Sequence, residues 1–160
     1  SKAIRRMDGE GVSLKPADTA TVEHTAMLVT EDDKIGWHRV SFPTAQVTAG
    51  TAKFTITAKA RDRSKLFWDF YDGSNKYIGM CLVDLRDGKI VPQQPSEAIV
   101  DVRSEDLGDG WYRFYATVKT VAGESARHAV GLADPDSGLR SQYQGAKKEA
   151  FIIGGGEISQ

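Results

Sequence analysis

Apolar and polar residues alternate with a period of two along much of this chain, the mark of half-buried strands. In Thr51–Arg61, residues Phe54, Ile56, Ala58 and Ala60 fall on one side, with Lys53, Thr55, Thr57, Lys59 and Arg61 on the other. Trp111–Lys119 repeats the pattern, with Tyr112, Phe114, Ala116 and Val118 opposing Trp111, Arg113, Tyr115, Thr117 and Lys119. Looser versions in Ala26–Thr30, Trp37–Phe42, Leu66–Tyr71, Tyr77–Leu85, Ala98–Arg103, Arg127–Ala133 and Ala150–Ile158 bring the total to nine strands. Turn formers separate them, among them Asp72-Gly73-Ser74-Asn75, Asp87-Gly88 and Gly108-Asp109-Gly110. Asp-Gly pairs supply the positive φ of hairpins and so favour antiparallel neighbours. No dozen residues keep apolar side chains at helical spacing behind a cap. The pattern therefore predicts an all-β sandwich, jelly roll or barrel.

Composition narrows the class. At 160 residues, 40% hydrophobic and 27% charged, the chain reads as one globular domain over 1–160, its first dozen residues a frayed arm or an edge strand. The lone Cys81 has no partner for an internal disulfide, and within Met80-Cys81-Leu82-Val83 it reads as a small buried hydrophobe. With 21 Lys+Arg against 22 Asp+Glu the net charge is -1, which lacks the basic excess that binds a phosphate backbone and excludes nucleic acid as a partner. No apolar run reaches the roughly 18 residues of a membrane-spanning helix, so no membrane partner is expected.

Signatures of catalysis are scarce. There is no Gly-x-Ser-x-Gly elbow, and His24, His38 and His128 are scattered singly without the spacing of a zinc site. No catalytic residue is assigned. Most carboxylates sit in turns, where Asp caps the backbone. Glu31-Asp32-Asp33, Asp134-x-Asp136 and Glu157 are candidate oxygen ligands for a structural calcium ion, although neither acidic stretch has the spacing of a dedicated loop.

The positive feature is a set of aromatic and charged residues on the solvent side of the strands: Trp37 with Arg39, Tyr71 with Asp69, and Trp111 with Arg113 and Tyr115. Flat rings stack on the apolar face of a pyranose, while Arg, Lys, Asp and Asn satisfy its hydroxyls or pair with its carboxylates. The candidate ligand-binding residues are Trp37, Arg39, Tyr71, Trp111, Arg113, Tyr115 and His128. Gly36-Trp37-His38-Arg39-Val40 and Gly110-Trp111-Tyr112-Arg113-Phe114 share the pattern Gly-Trp-x-Arg-apolar. Either both begin strands alike, with a tryptophan covering the rim, or the two elements converge on one ligand. The basic side of Lys53–Arg61, followed by Arg63 and Lys65, suits an acidic polysaccharide or is a solvated hairpin.

Three segments in order, Val83-Asp84-Leu85-Arg86-Asp87-Gly88-Lys89-Ile90, Leu107-Gly108-Asp109-Gly110-Trp111-Tyr112-Arg113-Phe114 and Ala150-Phe151-Ile152-Ile153-Gly154-Gly155-Gly156-Glu157-Ile158, carry a resemblance. The chain resembles carbohydrate-binding-module-like β-sandwich domains of bacterial polysaccharide-active enzymes and phage tail-fibre or tailspike proteins. The resemblance implies an antiparallel two-sheet jelly roll, galactose-binding or concanavalin-like, that binds a polysaccharide or oligosaccharide on a sheet face or loop edge without catalysis. The expected setting is extracellular, secreted or on a virion surface, as part of a larger multidomain protein or an oligomer. Two other readings stay open: a structural or assembly domain of a fibre, and a small jelly-roll polysaccharide lyase or glycosidase.

Overall fold

A computed structural model describes residues 7–17 and 26–160. Their strands are β1 (Asp8–Glu10), β2 (Val12–Pro16), β3 (Met27–Glu31), β4 (Ile35–Gly36), β5 (Arg39–Ser41), β6 (Ala45–Val47), β7 (Gly50–Ala60), β8 (Lys65–Tyr71), β9 (Tyr77–Asp84), β10 (Ile90–Pro92), β11 (Ile99–Gly108), β12 (Trp111–Thr120), β13 (Gly123–Leu132), β14 (Tyr143–Gln144) and β15 (Glu149–Ser159). No helix occurs among the described residues. One sheet runs β1-β5-β13-β8-β9-β10, with β6 also on β13; the second runs β11-β12-β7-β15-β3-β2; β14 and β4 form a small ribbon. Every pairing is antiparallel, and the chain passes repeatedly from one sheet to the other, as in a jelly roll.

All nine strands read from the sequence are present. The six others have two to five residues, too few positions to display a period. The arm resolves into edge strands: β1 lies beside β5 on one sheet and β2 beside β3 on the other, while residues 1–6 and His24 lie outside the described residues.

The inner faces interdigitate as the alternation requires. Phe54, Ile56 and Ala58 of β7 and Phe114, Ala116 and Val118 of β12 share one buried cluster with Leu66, Trp68 and Phe70 of β8 and Val130 and Leu132 of β13. Cys81 is buried there too, and burial pushes its thiol up to about 12. In the turn after β9, Gly88 has φ 76° and the Tyr112 ring lies where its side chain would begin, so glycine alone fits without strain.

His128 belongs to this core and not to a binding surface, which corrects its assignment as a ligand contact. The alternation of β13 puts His128, Val130 and Leu132 inward, opposite Phe70, Trp68 and Leu66 of β8. Its ring is fully buried between Phe42 and Phe54, and its Nδ1 accepts the indole N–H of Trp68 at 3.0 Å. Burial drives the imidazole pKa down to about 3, so the ring is neutral and Nε2 carries the proton.

Two buried carboxylates tie down the segment that follows β13. Asp69, fully buried on the outer side of β8, receives Nε and Nη2 of Arg140 at 2.9 and 2.8 Å. Glu31, at the end of β3, receives Nε and Nη2 of Arg63 at 3.1 and 2.9 Å, the Tyr143 hydroxyl at 2.6 Å and the Ala146 amide at 2.6 Å. Burial raises the Glu31 carboxyl, but these donors outweigh it and hold the pKa below the ordinary carboxylate value. Glu31 is thus spent on the protein's own cation and donors, and it is not available to calcium. Neighbouring Asp32 caps the Lys34 amide and contacts His38 Nε2, and Asp33 pairs with Lys34 and Lys147. Among the described residues no group of three or more His, Cys, Asp or Glu side chains is placed to hold a metal.

Candidate functional site

The outer face of the six-stranded sheet is fixed by register. Arg113 of β12 lies opposite Thr57 of β7, which lies opposite Gly155 of β15; one step along, Tyr115, Thr55 and Glu157 align in the same way. These six residues line a cleft of about 230 Å³. Gly155 follows a bulge in β15, so the glycine run serves to shape this strand. A Cβ at Gly155 would have only Glu157 Oε1 within contact, at 3.9 Å, so the glycine stands beside open space on the cleft side.

The cleft floor is polar and held. Arg113 donates Nε to Thr57 Oγ1 at 3.0 Å, which lays the guanidinium over β7. Tyr115 donates its hydroxyl to Glu105 Oε1 at 3.0 Å, while the Arg103 guanidinium lies 3.7 Å from the Tyr115 ring centre and Lys53 Nζ 5.8 Å from it. Tyr115 is therefore a ring already capped by a cation. Lys53, Lys59, Arg103, Arg113 and Lys119 alternate outward on this face, against Asp101, Glu105 and Glu157.

Trp111 begins the same row of outward residues as Arg113 and Tyr115, yet it is only 1% exposed. A second apolar cluster closes over it, made of Ala26, Leu28 and Ile152 with Ala17 and Leu107 packed against them. Its placement on a sugar-facing platform is corrected accordingly: the indole is the centre of an apolar mound at one end of the cleft. Leu28 and Ile152 reach it because β15 pairs with β3 on the far side of β7.

The remaining candidates lie on the opposite side of the molecule. Arg39 of β5 and Tyr71 of β8 point out from the seven-stranded sheet, and Trp37 packs edge-on against Phe67 of that face. Each ring there also carries arginine. Arg39 and Arg140 lie 5.3 and 4.8 Å from the Trp37 ring, and Arg127 lies 3.7 Å from that of Tyr71. Arg39 itself donates Nε to Glu10 at 2.6 Å. The two Gly-Trp-x-Arg elements thus occupy different sheets and do not converge on one ligand.

The structure brings Arg113 and Tyr115 together and adds Thr55, Thr57, Gly155, Glu157 and Arg103, which the sequence did not assign to a ligand surface. Alternation had put Thr55 and Thr57 outward beside Lys53. That β15 would lie next to β7, bringing Glu157 to Thr55, had no local signal. A larger cleft of about 310 Å³ lies among the loops at one end of the sandwich, where Asp62, Asp84 and Asp134 mix with Arg63, Lys65 and Arg86. Arg63 there is committed to Glu31, and Asp84 and Asp134 cap backbone amides in their own turns.

No protein-family model matches the chain, and no curated protein matches it. Among solved structures, it is similar to a family 6 carbohydrate-binding module from Clostridium cellulolyticum, crystallised in complex with xylose. The two share 13% identity and a TM-score of 0.47, over 99% of this chain and 94% of that one. At this distance, the functional reading rests on the side chains of the cleft.

Proposed function

We propose that the chain is a non-catalytic carbohydrate-binding module that takes an acidic polysaccharide in the cleft on its six-stranded sheet, tethering an attached enzyme or particle outside the cell. The observation that carries this reading is the lining itself. Two threonine hydroxyls, a guanidinium, a carboxylate and a phenol converge on a pocket of about 230 Å³ mounted on a rigid sheet. That is the donor and acceptor mixture a ring of hydroxyls requires. The surplus of cations on the same face, including Lys53 and Arg103 beside Tyr115, favours a polymer bearing carboxylates.

Binding is favoured over hydrolysis because, among the described residues, Glu157 is the one carboxylate lining the cleft, whereas glycoside hydrolysis works with two carboxyl groups across the scissile bond. A tyrosine, a histidine and an arginine do meet at Tyr143, His38 and Arg63. Tyr143 and His38 are buried, and the tyrosine hydroxyl is spent on Glu31. Affinity per site is expected to be modest, since sugar hydroxyls exchange water for protein partners with little net gain, and repeated modules would supply avidity.

The test is affinity electrophoresis of the chain through neutral and uronic-acid polysaccharides, with and without calcium, at two salt concentrations. Retardation by a uronic-acid polymer that weakens with salt, and falls at least tenfold in Arg113→Ala with the fold intact, is the expected result. Retardation by no polymer, or equal retardation of Arg113→Ala, overturns the reading.

A further inference from the structure

Exposure along the cleft face is graded from one end to the other. Following the outward positions of β7, Lys59 is half-buried, Thr57 is 4% exposed, Thr55 is half-buried, and Lys53 and Thr51 are exposed. On β15 the sequence is the same: Ile152 is buried, Gly155 half-buried, and Glu157 and Ser159 exposed. Trp111 explains the closed end. An indole on the outer face of a sheet can be 1% exposed only if other material covers it, and Ala26, Leu28 and Ile152 cluster with it while Ala17 and Leu107 pack against that cluster. A wall therefore rises beyond Thr57 and Arg113.

A second side is raised as well. The Arg103 guanidinium stacked on Tyr115, with Glu105 held by the tyrosine hydroxyl, stands along the border with β11. A polymer crossing the strands toward β11 would have to displace that stack. Exposure rises instead along the strands, over Lys53 and Ser159 toward Thr51 and Lys119, where the Gln160 amide is held low against the Thr48 and Thr51 backbone.

We infer that the cleft receives the end of a glycan chain, with the terminal sugar lodged over Thr57 and Gly155 against the Trp111 mound and the rest of the chain leaving over Lys53 and Ser159. This rests on the carbohydrate reading above. It adds the mode of recognition: a module of this shape counts chain ends, and it would gather where a polymer has been cut. Bonds along the middle of a chain would be invisible to it, because a continuing residue would collide with the side chains that cover Trp111.

Chain-length series separate the two modes. Polygalacturonate, alginate and xylan would each be partially hydrolysed to graded lengths and titrated calorimetrically with the whole chain. The expected result is a capacity per gram of polymer that rises in proportion to the number of ends, with at most one module per end. A capacity per gram that stays constant as chains shorten, with several modules on each long chain, overturns the inference while leaving carbohydrate binding in place. Binding of no polymer at any length overturns both.

Gly155→Leu supplies the positional check, because Gly155 lines the cleft and a Cβ there has room, with Glu157 Oε1 at 3.9 Å its one near contact. Affinity for short oligosaccharides is expected to fall at least tenfold with the melting temperature within a few degrees. Wild-type affinity in a folded Gly155→Leu variant places the ligand elsewhere and overturns the inference.

Discussion

Mild acid is expected to destabilise this protein through one core histidine, well above the pH at which carboxylates titrate. His128 has a folded pKa of about 3 against an ordinary value of 6.5. The unfolded chain therefore binds a proton in this interval that the folded chain refuses. For a depressed pKa, the stabilisation is complete above the unfolded value and is lost as pH falls toward the folded one. With those two constants, the loss between pH 7.5 and pH 5 is about 2 kcal/mol, and the ceiling at lower pH is roughly 5 kcal/mol. In a domain of this size 2 kcal/mol is roughly 4–8 °C in Tm. Glu31 adds its own acid loss, but only below its unfolded value of 4.5, where protonation releases Arg63 and Tyr143. The assay is urea unfolding at pH 7.5, 6.5, 5.5 and 5.0 on wild type and His128→Asn, whose side-chain carbonyl keeps an acceptor for the Trp68 indole. The variant is less stable at pH 7.5 because the smaller side chain leaves a gap among Phe42, Phe54 and Trp68, but it should lose this slope. Wild-type stability that is flat from pH 7.5 to 5, or an imidazole resonance of His128 that titrates near 6.5 in the folded protein, would refute the reasoning.

Two further perturbations probe the buried charges and the thiol. Arg140→Ala strands the buried Asp69 carboxylate, a loss of about 3–5 kcal/mol in denaturant unfolding. Adding Asp69→Asn should recover part of it by removing the charge, and a single-variant loss below about 1 kcal/mol would show that Asp69 is hydrated or finds another partner. Cys81 is 0% exposed with its thiol pushed up to about 12, so iodoacetamide at pH 8 should alkylate it only as fast as the protein unfolds. Stoichiometric labelling within minutes under native conditions, followed by mass spectrometry, would contradict that burial.

The buried polar groups show what the segment after β13 does for the site. Arg140 on Asp69, and Tyr143 and the Ala146 amide on Glu31, dock residues 140–146 against both sheets. The chain then enters β15 at Glu149 in a fixed position, and β15 carries Gly155 and Glu157 into the cleft. A carboxylate that reads as a calcium ligand in sequence is, in the fold, the acceptor that seats this connection.

The alternation in Thr51–Arg61 and Trp111–Lys119 determined by itself that these segments are strands, that Phe54, Ile56, Phe114 and Ala116 face a core, and that Arg113, Tyr115, Thr55 and Thr57 face away from it. The buried character of Cys81 was legible too, from the apolar run Met80-Cys81-Leu82-Val83 in which it sits. What the tertiary structure decided is what stands on each outward face. A period of two assigns a residue to one of two faces and says nothing of what covers that face. Trp111 thus passed for a platform until β3 brought Leu28, and β15 brought Ile152, across the sheet to bury it. The inward face of β13 was readable from Val130 and Leu132, but a histidine on that face gives no sign of whether it is fully desolvated. Strand order is fixed by pairings between residues as distant as Thr55 and Glu157, whose partnership depends on how two whole sheets pack and leaves no mark in either local sequence.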